Sequence, residues 1–513
     1  MTEENRGPER LELVIGRELD RSPESRCFWW EGTWYNQAFL KNMTDACEAA
    51  LRASGFTEGQ RLVVLMPNCP MVLALSLAVW RIGGSFCPLN VKSGIPSLMG
   101  TLKLLEPFAV VLSEETRGEI GSVLEKENWV HTLCSPLGPL SEFQGRPATP
   151  ESRDIAVIFS TSGTTGTPKA VPTLHTAFLD NCRRAMETLR DLKEGDVLLN
   201  VLPNFHAFGY MSGYLLPLIL KGSQAIVANF MPPSRTLAAI AEAPVNVVIL
   251  VPAMLGFLLA LIEKGAPRPK GVKLVVAGGD RFNVRMDSRV QQLLGVGVLE
   301  GYGLTECAPV VALNGSMERR RLGTAGEFLG GYEWRLRTEY GKPAEGNEGV
   351  LWVRGPSVSK GYFRTAEVDN KRFDDGWFNT GDYVSIEDGY VRILDRVTDI
   401  IIVGGFNVYP QEVEAVLQTH PAVQTAIVIG IHNAASGEVP KAWIQKKAGM
   451  NATESEIIHY CKEQLAHYKV PRRVEFIDSF PMSGTGKVLR RVLREREKEE
   501  SKQEESKEES KNT

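Results

Sequence analysis

An apolar, β-branched run, Asp154-Ile-Ala-Val-Ile158, leads the chain straight into Phe159-Ser-Thr-Ser-Gly-Thr-Thr-Gly-Thr-Pro-Lys169. The run predicts a buried strand. In the segment that follows, glycines let backbone N–H groups approach an anion, and Ser and Thr hydroxyls add donors or reach a metal. Clusters of Ser, Thr and Gly usually form plain loops. Here hydroxyls interleave with Gly163 and Gly166, and Pro168-Lys169 closes the run, which is the composition of a phosphate cradle. It is not the G-x-x-x-x-G-K-[ST] loop. Counting from Gly163, Pro168 stands where the second glycine belongs, and Ala170 follows Lys169. Gly484-Thr-Gly-Lys487 fails too, because Pro481 occupies the place of the first glycine.

Around this segment the pattern alternates. Arg61–Met66 and Ala109–Ser113 read as buried strands and Met71–Arg81 as a largely apolar helix, which argues for layered α/β structure. A length of 513 residues with 43% hydrophobic content supports more than one domain. The formal net charge of −4 gives no footing for nucleic acid or an anionic membrane. Eight cysteines are scattered without a C-x-x-C pair or metal-ligand spacing, so reduced, buried thiols are expected. The polar start Met1–Arg6 carries no signal-peptide pattern, and a cytoplasmic location is expected. Val245–Ile262 is nearly all apolar, but Asn246, Pro252 and Gly256 interrupt it. It reads as a strand followed by a helix that starts at Pro252, and no transmembrane segment is expected.

Further along, the strand Asp196–Leu202 ends in Pro203-Asn-Phe-His-Ala-Phe-Gly209. Lys273–Asp280 and Gly297–Glu306 are each a strand running into a glycine turn, the place where open α/β sheets bind ligands. In the second, Tyr302 can offer a ring face to a base. Thr305 can donate to a phosphate oxygen, and Glu306 is the hard oxygen ligand that magnesium prefers. From Gly323 to Val391 short β-type segments suggest a small barrel or sheet. Ile400–Val403 with Gly404-Gly405 reads as a hairpin, and Pro410–Leu417 as a helix with proline near its start. Strands near Thr425–Ile431 and Ala442–Lys446, a helix over Thr453–Leu465 and an exposed loop at Lys487 follow. The tail from Glu495 is nearly all Glu, Lys, Ser and Gln, and reads as disordered or a frayed helix.

Thr161-Ser-Gly-Thr-Thr-Gly-Thr-Pro-Lys169 fits [ST]-[ST]-G-[ST]-T-G-x-P-K at every position. The sequence thereby resembles the adenylate-forming (AMP-binding) enzymes, among them acyl-CoA synthetases, firefly-type luciferases and peptide-synthetase adenylation domains. Tyr302-Gly-Leu-Thr-Glu306, Thr380-Gly-Asp382, Arg396 and Lys487 follow in the family's order, and the likeness spans about Pro23 to Arg491. It implies a large N-terminal α/β domain over residues 1–394, with a small β-barrel at about 317–394. A mobile α+β lid over 395–493 and a disordered charged tail over 494–513 complete the expected organisation.

The resemblance implies that Thr161, Ser162, Gly163, Thr164, Thr165, Gly166 and Lys169 cradle ATP phosphates. Gly279, Tyr302 and Gly303 would border the nucleotide, Asp382 and Arg396 would hold its ribose side, and His206 would gate the acid. Glu306 and Thr164 would hold Mg²⁺, Thr305 and Lys487 would act on the phosphates, and Gly404 and Gly405 would line the thiol channel. The family's hinge residue is usually Asp or Lys, whereas Thr398 stands there, which leaves the pivot open. The implied reaction forms acyl-AMP and pyrophosphate from a carboxylic acid and ATP, then passes the acyl group to CoA. Glu300–Val310 is also similar to acyl-acyl-carrier-protein synthetases, so a carrier protein is the alternative acceptor. The segment Gly404–Pro410 is similar to fatty acyl-CoA ligases and points to a fatty acid. A luciferase-like oxygenase would share the motifs. A catalytically silent nucleotide-binding protein would be expected to lack Glu306 or Lys487, and both are present.

Overall fold

The helix Pro70–Ile82 is apolar on every side and buried on every side except at Arg81, as expected of a helix without a polar face. Pro70 sets its start, and Gly83, at φ +92°, ends it in the left-handed conformation that favours glycine. Trp80 Nε1 donates to Ala156 O at 2.7 Å, so the helix is fastened to the strand that runs into the phosphate segment. The computed structural model describes residues 9–161, 169–338, 341–365, 372–404, 406–433, 436–482 and 488–509. The chain divides into two compact units: Met1–Trp334 with Val353–Phe378 and Asp388–Val391, and Arg335–Trp352 with Asn379–Glu387 and Arg392–Thr513.

Two sheets share the core of the first unit. In one, the strands run in the order His131–Leu133, Ala109–Leu112, Arg61–Leu65, Ser85–Pro88, Ile155–Thr161, Lys169–Leu174. All pairs are parallel except the last. The other runs Val298–Gly303, Leu274–Ala277, Val247–Leu250, Val197–Asn200, Ser223–Ile226, Arg26–Trp30, all parallel, with antiparallel neighbours outside it. This is the layered α/β fold expected from the alternation of strands and helices. The suspect apolar run is a strand, Val247–Leu250, then a helix, Pro252–Glu263. Among the described residues no helix is long and apolar enough to cross a membrane. All eight cysteines are buried, and burial pushes the Cys27, Cys47, Cys69 and Cys87 thiols up to about 12.

The second unit carries a sheet in the order Phe406–Val408, Ile401–Val403, Gly437–Lys446, Val423–Asn433, with Arg473–Phe476 added alongside Gly437–Lys446. The helix Pro410–Leu417 begins at the expected proline, and Glu454–Lys462 is capped by Thr453 and Glu456 in a capping box. The small barrel expected in this part of the chain is not seen among the described residues. Glu333–Arg337, Glu348–Arg354, Trp377–Glu387 and Tyr390–Arg396 are neighbours in one open row. The helix Arg490–Glu509 runs into the tail, which is expected to be disordered or a frayed helix. Its Arg, Glu and Lys are good helix formers. Arg491 pairs with Glu495 one turn on at 2.6 Å, and fully buried Leu493 packs with Ile427, Ile429 and Trp443.

Candidate active site

The strand Ile155–Thr161 turns back on itself: it pairs antiparallel with Lys169–Leu174, and Thr161 lies opposite Lys169. The phosphate-loop segment is thus flanked by two antiparallel paired strands. Ser162, Gly163, Thr164, Thr165 and Gly166 lie outside the described residues, as do Gly405 and Lys487.

Glu306 sits in a short 3₁₀ turn, Thr305–Cys307, that follows the strand Val298–Gly303. The chain doubles back there, with Leu304 N donating to Pro309 O at 2.8 Å. A Cβ at Gly303 would collide with Pro309 O, so the doubling back requires glycine. The turn buries Glu306 to 7% exposure. Tyr362 Oη donates to Glu306 Oε1 at 2.8 Å, and Arg372 Nη1 lies 3.5 Å from the same oxygen. Lys169 Nζ stands 5.0 Å from the Tyr362 ring centroid. Burial, with the Glu306 charge second, holds the Tyr362 phenol far above its ordinary value, so it is a donor throughout the physiological range. Thr305 and Tyr302 are half-buried beside this group, Tyr302 opposite Ala312 in the neighbouring strand.

Across the carboxyl ends of the parallel strands lies a second set. Gly279 has φ +78°, and a Cβ built on it would stand 3.4 Å from Val251 Cγ1 and 3.6 Å from Phe208 Cδ1. Gly278 faces the same ring, with Phe208 Cζ 3.2 Å from where its Cβ would be. His206 is exposed and caps the short helix Ala207–Gly209, which continues as the π-helix Tyr210–Leu215. Such π-turns recur at functional sites, and nothing in the hydrophobic pattern signals this one.

In the second unit, Asp382 is 2% exposed and its Oδ1 lies 2.5 Å from Arg396 Nε. The two residues assigned to the ribose side thus meet. Thr380 Oγ1 donates to Leu351 O at 2.8 Å and accepts from Asp382 N at 3.1 Å, which fixes this part of the strand Trp377–Glu387. Beyond Arg396, buried Asp395 accepts from Arg396 N and Gln411 N. Burial raises its carboxyl to about 6, against the pull of Arg490. Thr398 is exposed in the turn that follows, and Gly404 is exposed at φ +56°, donating to Ser436 O at 2.8 Å.

The model of the AMP-binding enzyme family matches residues 16–363, and that of the AMP-binding enzyme C-terminal domain matches 412–487. The chain belongs to the AMP-binding enzymes. This AMP-binding enzyme is 32% identical to a feruloyl-CoA synthase of Amycolatopsis sp over 92% of its length and 96% of the relative's. It is 30% identical to a long-chain-fatty-acid–CoA ligase of Bacillus subtilis (strain 168) over 94% of each chain. Among solved structures, ATP-bound MatB from Rhodopseudomonas palustris matches with a TM-score of 0.85 at 29% identity, covering 95% of this chain and 99% of that one. The side chains that sequence reasoning missed are Tyr362, Arg372, Phe208 and Asp395. Lys360-Gly-Tyr362 carries no pattern that points at Glu306, and an aspartate beside Arg396 looks like any turn carboxylate.

Proposed function

We propose that this AMP-binding enzyme is an AMP-forming acid–CoA ligase that activates a fatty acid. One observation carries the reading: Lys169, which closes the phosphate-loop segment, and Glu306 meet at opposite parts of one side chain, Tyr362. An arrangement of that kind suits a polyphosphate with a bound cation. The first difficulty of the reaction is repulsion between the acid's carboxylate and the phosphates, roughly 4 kcal/mol for two unit charges 4 Å apart at an effective dielectric constant of about 20. Lys169, the loop donors and Lys487 would offset it from the protein side.

A buried single carboxylate with one oxygen already held by Tyr362 and Arg372 fits Mg²⁺, which takes one or two carboxylates beside phosphate oxygens and water. Glu306 and Thr164 would hold the ion, which when bound neutralises phosphate charge and polarises the phosphoryl oxygen. No protein nucleophile is required, because the carboxylate attacks the α-phosphate itself and pyrophosphate leaves. Asp382 and Arg396 would position the ribose side, and His206 would gate the acid. The Phe208 ring on Gly278 and Gly279 would form an apolar floor for the acyl body. Gly404 and Gly405 would line the path of the thiol.

A feruloyl-type aromatic acid is the second reading, favoured by the Amycolatopsis relative's alignment along nearly the whole chain. Purified protein with ATP, Mg²⁺ and a panel of C2 to C18 and aromatic acids tests both. Acid-dependent pyrophosphate release, then thioester formation with CoA, is expected. Preference for aromatic acids would replace the fatty acid. Thioester formed only on a carrier protein would replace CoA, and absence of acid-dependent pyrophosphate would overturn the proposal.

A further inference from the structure

The segment Ser357–Phe363 touches both halves of the phosphate-binding apparatus. At one end Ser359 N donates to Glu306 O at 2.7 Å. At the other, Phe363 N donates to Ala170 O at 2.7 Å, one residue beyond Lys169. Ser359 Oγ lies 3.4 Å from Pro172 O on the same strand. The backbone of this segment therefore ties the turn holding Glu306 to the strand that starts at Lys169. Tyr362, 7% exposed, is the side chain it places between them. Its hydroxyl donates to Glu306 Oε1, its ring lies beneath Lys169 Nζ, and Arg372 Nη1 stands 3.4 Å from the hydroxyl. Phe373 packs edge-on against the ring at 5.4 Å and limits its rotation.

We propose that Tyr362 is a positioning residue that fixes the rotation of the Glu306 carboxylate and its spacing from Lys169, so that a magnesium–nucleotide complex meets both at once. The inference rests on the reading of Glu306 as the cation-binding carboxylate. A free carboxylate rotates about its last torsion, a broad and soft one. A hydroxyl donating to one oxygen, with a guanidinium beside that oxygen, removes the rotation and leaves the second oxygen in a set direction. The ring face takes the lysine ammonium through its quadrupole, which holds the cation at the spacing of the ring. A donor that holds a metal-binding carboxylate from behind tunes metal affinity because the ligand need not be oriented at the moment of binding.

Tyr362→Phe keeps the ring and removes the donor. Calorimetric titration of ATP into purified protein, with and without Mg²⁺, reads the effect without turnover. In the wild type, Mg²⁺ should tighten ATP binding. In Tyr362→Phe that enhancement should fall by roughly tenfold or more, the size of one hydrogen bond to a charged group, while ATP binding without Mg²⁺ stays unchanged. The same variant should need more Mg²⁺ for half-maximal pyrophosphate release and keep most of its rate at saturating Mg²⁺. Tyr362→His, which retains a donor, should recover part of the loss.

Glu306→Gln and the double variant complete a cycle. Effects of the two substitutions that simply add would overturn the inference, and so would an unchanged Mg²⁺ enhancement in Tyr362→Phe when Glu306→Gln abolishes it. If Glu306→Gln also leaves the enhancement intact, the cation role of Glu306 falls, and Tyr362 loses its assignment with it. Should Tyr362→Phe fail to fold, the same titrations of Tyr362→His against wild type distinguish these outcomes.

Discussion

Asp382 is nearly out of solvent, yet its carboxylate touches Arg396, a half-exposed side chain. A nucleotide ribose placed here would share the acceptor with that guanidinium. Asp382→Ala should raise the KM for ATP, since losing a charged hydrogen-bond partner costs roughly 1.5–3 kcal/mol. Measured against 2′,3′-dideoxy-ATP, the wild type should discriminate and the variant should not. Unchanged discrimination would remove the ribose from Asp382. Both residues were legible in the sequence because each stands in a motif, but their contact was not. It arises because Val397 N donates to Gly381 O at 2.9 Å, which sets the end of the strand Tyr390–Arg396 beside the middle of its neighbour Trp377–Glu387. Tyr362 was invisible for a related reason: 56 positions separate it from Glu306, and no spacing rule reaches across that interval. His175 offers a prediction that rests chiefly on burial. It is 1% exposed, and burial, aided by the Arg10 charge, lowers its ring to about 3 from 6.5. The folded protein therefore keeps it neutral while the unfolded chain takes up a proton below pH 6.5. Stability present above pH 6.5 is lost as pH falls towards 3, by up to roughly 1.4 kcal/mol per pH unit. Melting curves at pH 7 and pH 5 check this: the difference between the two should be smaller in His175→Asn than in the wild type.

At the scale of elements, the expectations held where hydrophobic pattern and capping agreed, as for Pro70–Ile82, Pro410–Leu417 and the helix capped at Thr453. They missed where a tertiary partner decides. The hairpin partner Lys169–Leu174 has a proline in it and no clean alternation, and it is a strand because Ile155–Thr161 lies beside it. The helix Arg490–Glu509 is anchored by one buried leucine, Leu493, ahead of a run of charges. It is also anchored by Arg490 and Arg494. Arg490 forks onto Glu414 at 2.6 and 2.8 Å and donates to Val428 O, and Arg494 reaches Asp399 at 2.6 Å. Asp399 closes the turn that holds Thr398, so this helix and that turn are one electrostatic assembly within the second unit. Glu414 is 7% exposed and also accepts from Val428 N. Arg490→Ala would leave its carboxylate buried without the guanidinium, a change that costs about 3–5 kcal/mol. The melting transition of the second unit should drop, whereas Arg491→Ala, which breaks an exposed pair, should leave it within about 0.5 kcal/mol. Equal effects from the two would mean that the Glu414 fork carries no special weight.

For the whole molecule, the question is how one protein runs two reactions with one set of substrates. The resemblance to adenylate-forming enzymes implies that the second unit presents Lys487 for adenylation and the Gly404-Gly405 hairpin for thioester formation, by rotating between the steps. Domain motion of this kind lets one cleft serve two chemistries in turn. The two devices can be broken separately. Lys487→Ala should lose most pyrophosphate release while still converting chemically synthesised acyl-AMP and CoA to thioester. Gly404 is exposed, and a Cβ there meets nothing within 4 Å, so a side chain does not clash in the described state. Its φ of +56° adds backbone strain of roughly 1–2 kcal/mol for any residue other than glycine, too little to unfold a protein of this size. Gly404→Leu should therefore fold, release pyrophosphate, and form thioester slowly, because the added side chain narrows the thiol's path. Rates of the two half-reactions, measured separately for each variant, decide the matter. Equal impairment of both steps by Lys487→Ala would rule out the alternating arrangement, since a lysine withdrawn for the second step cannot be needed in it.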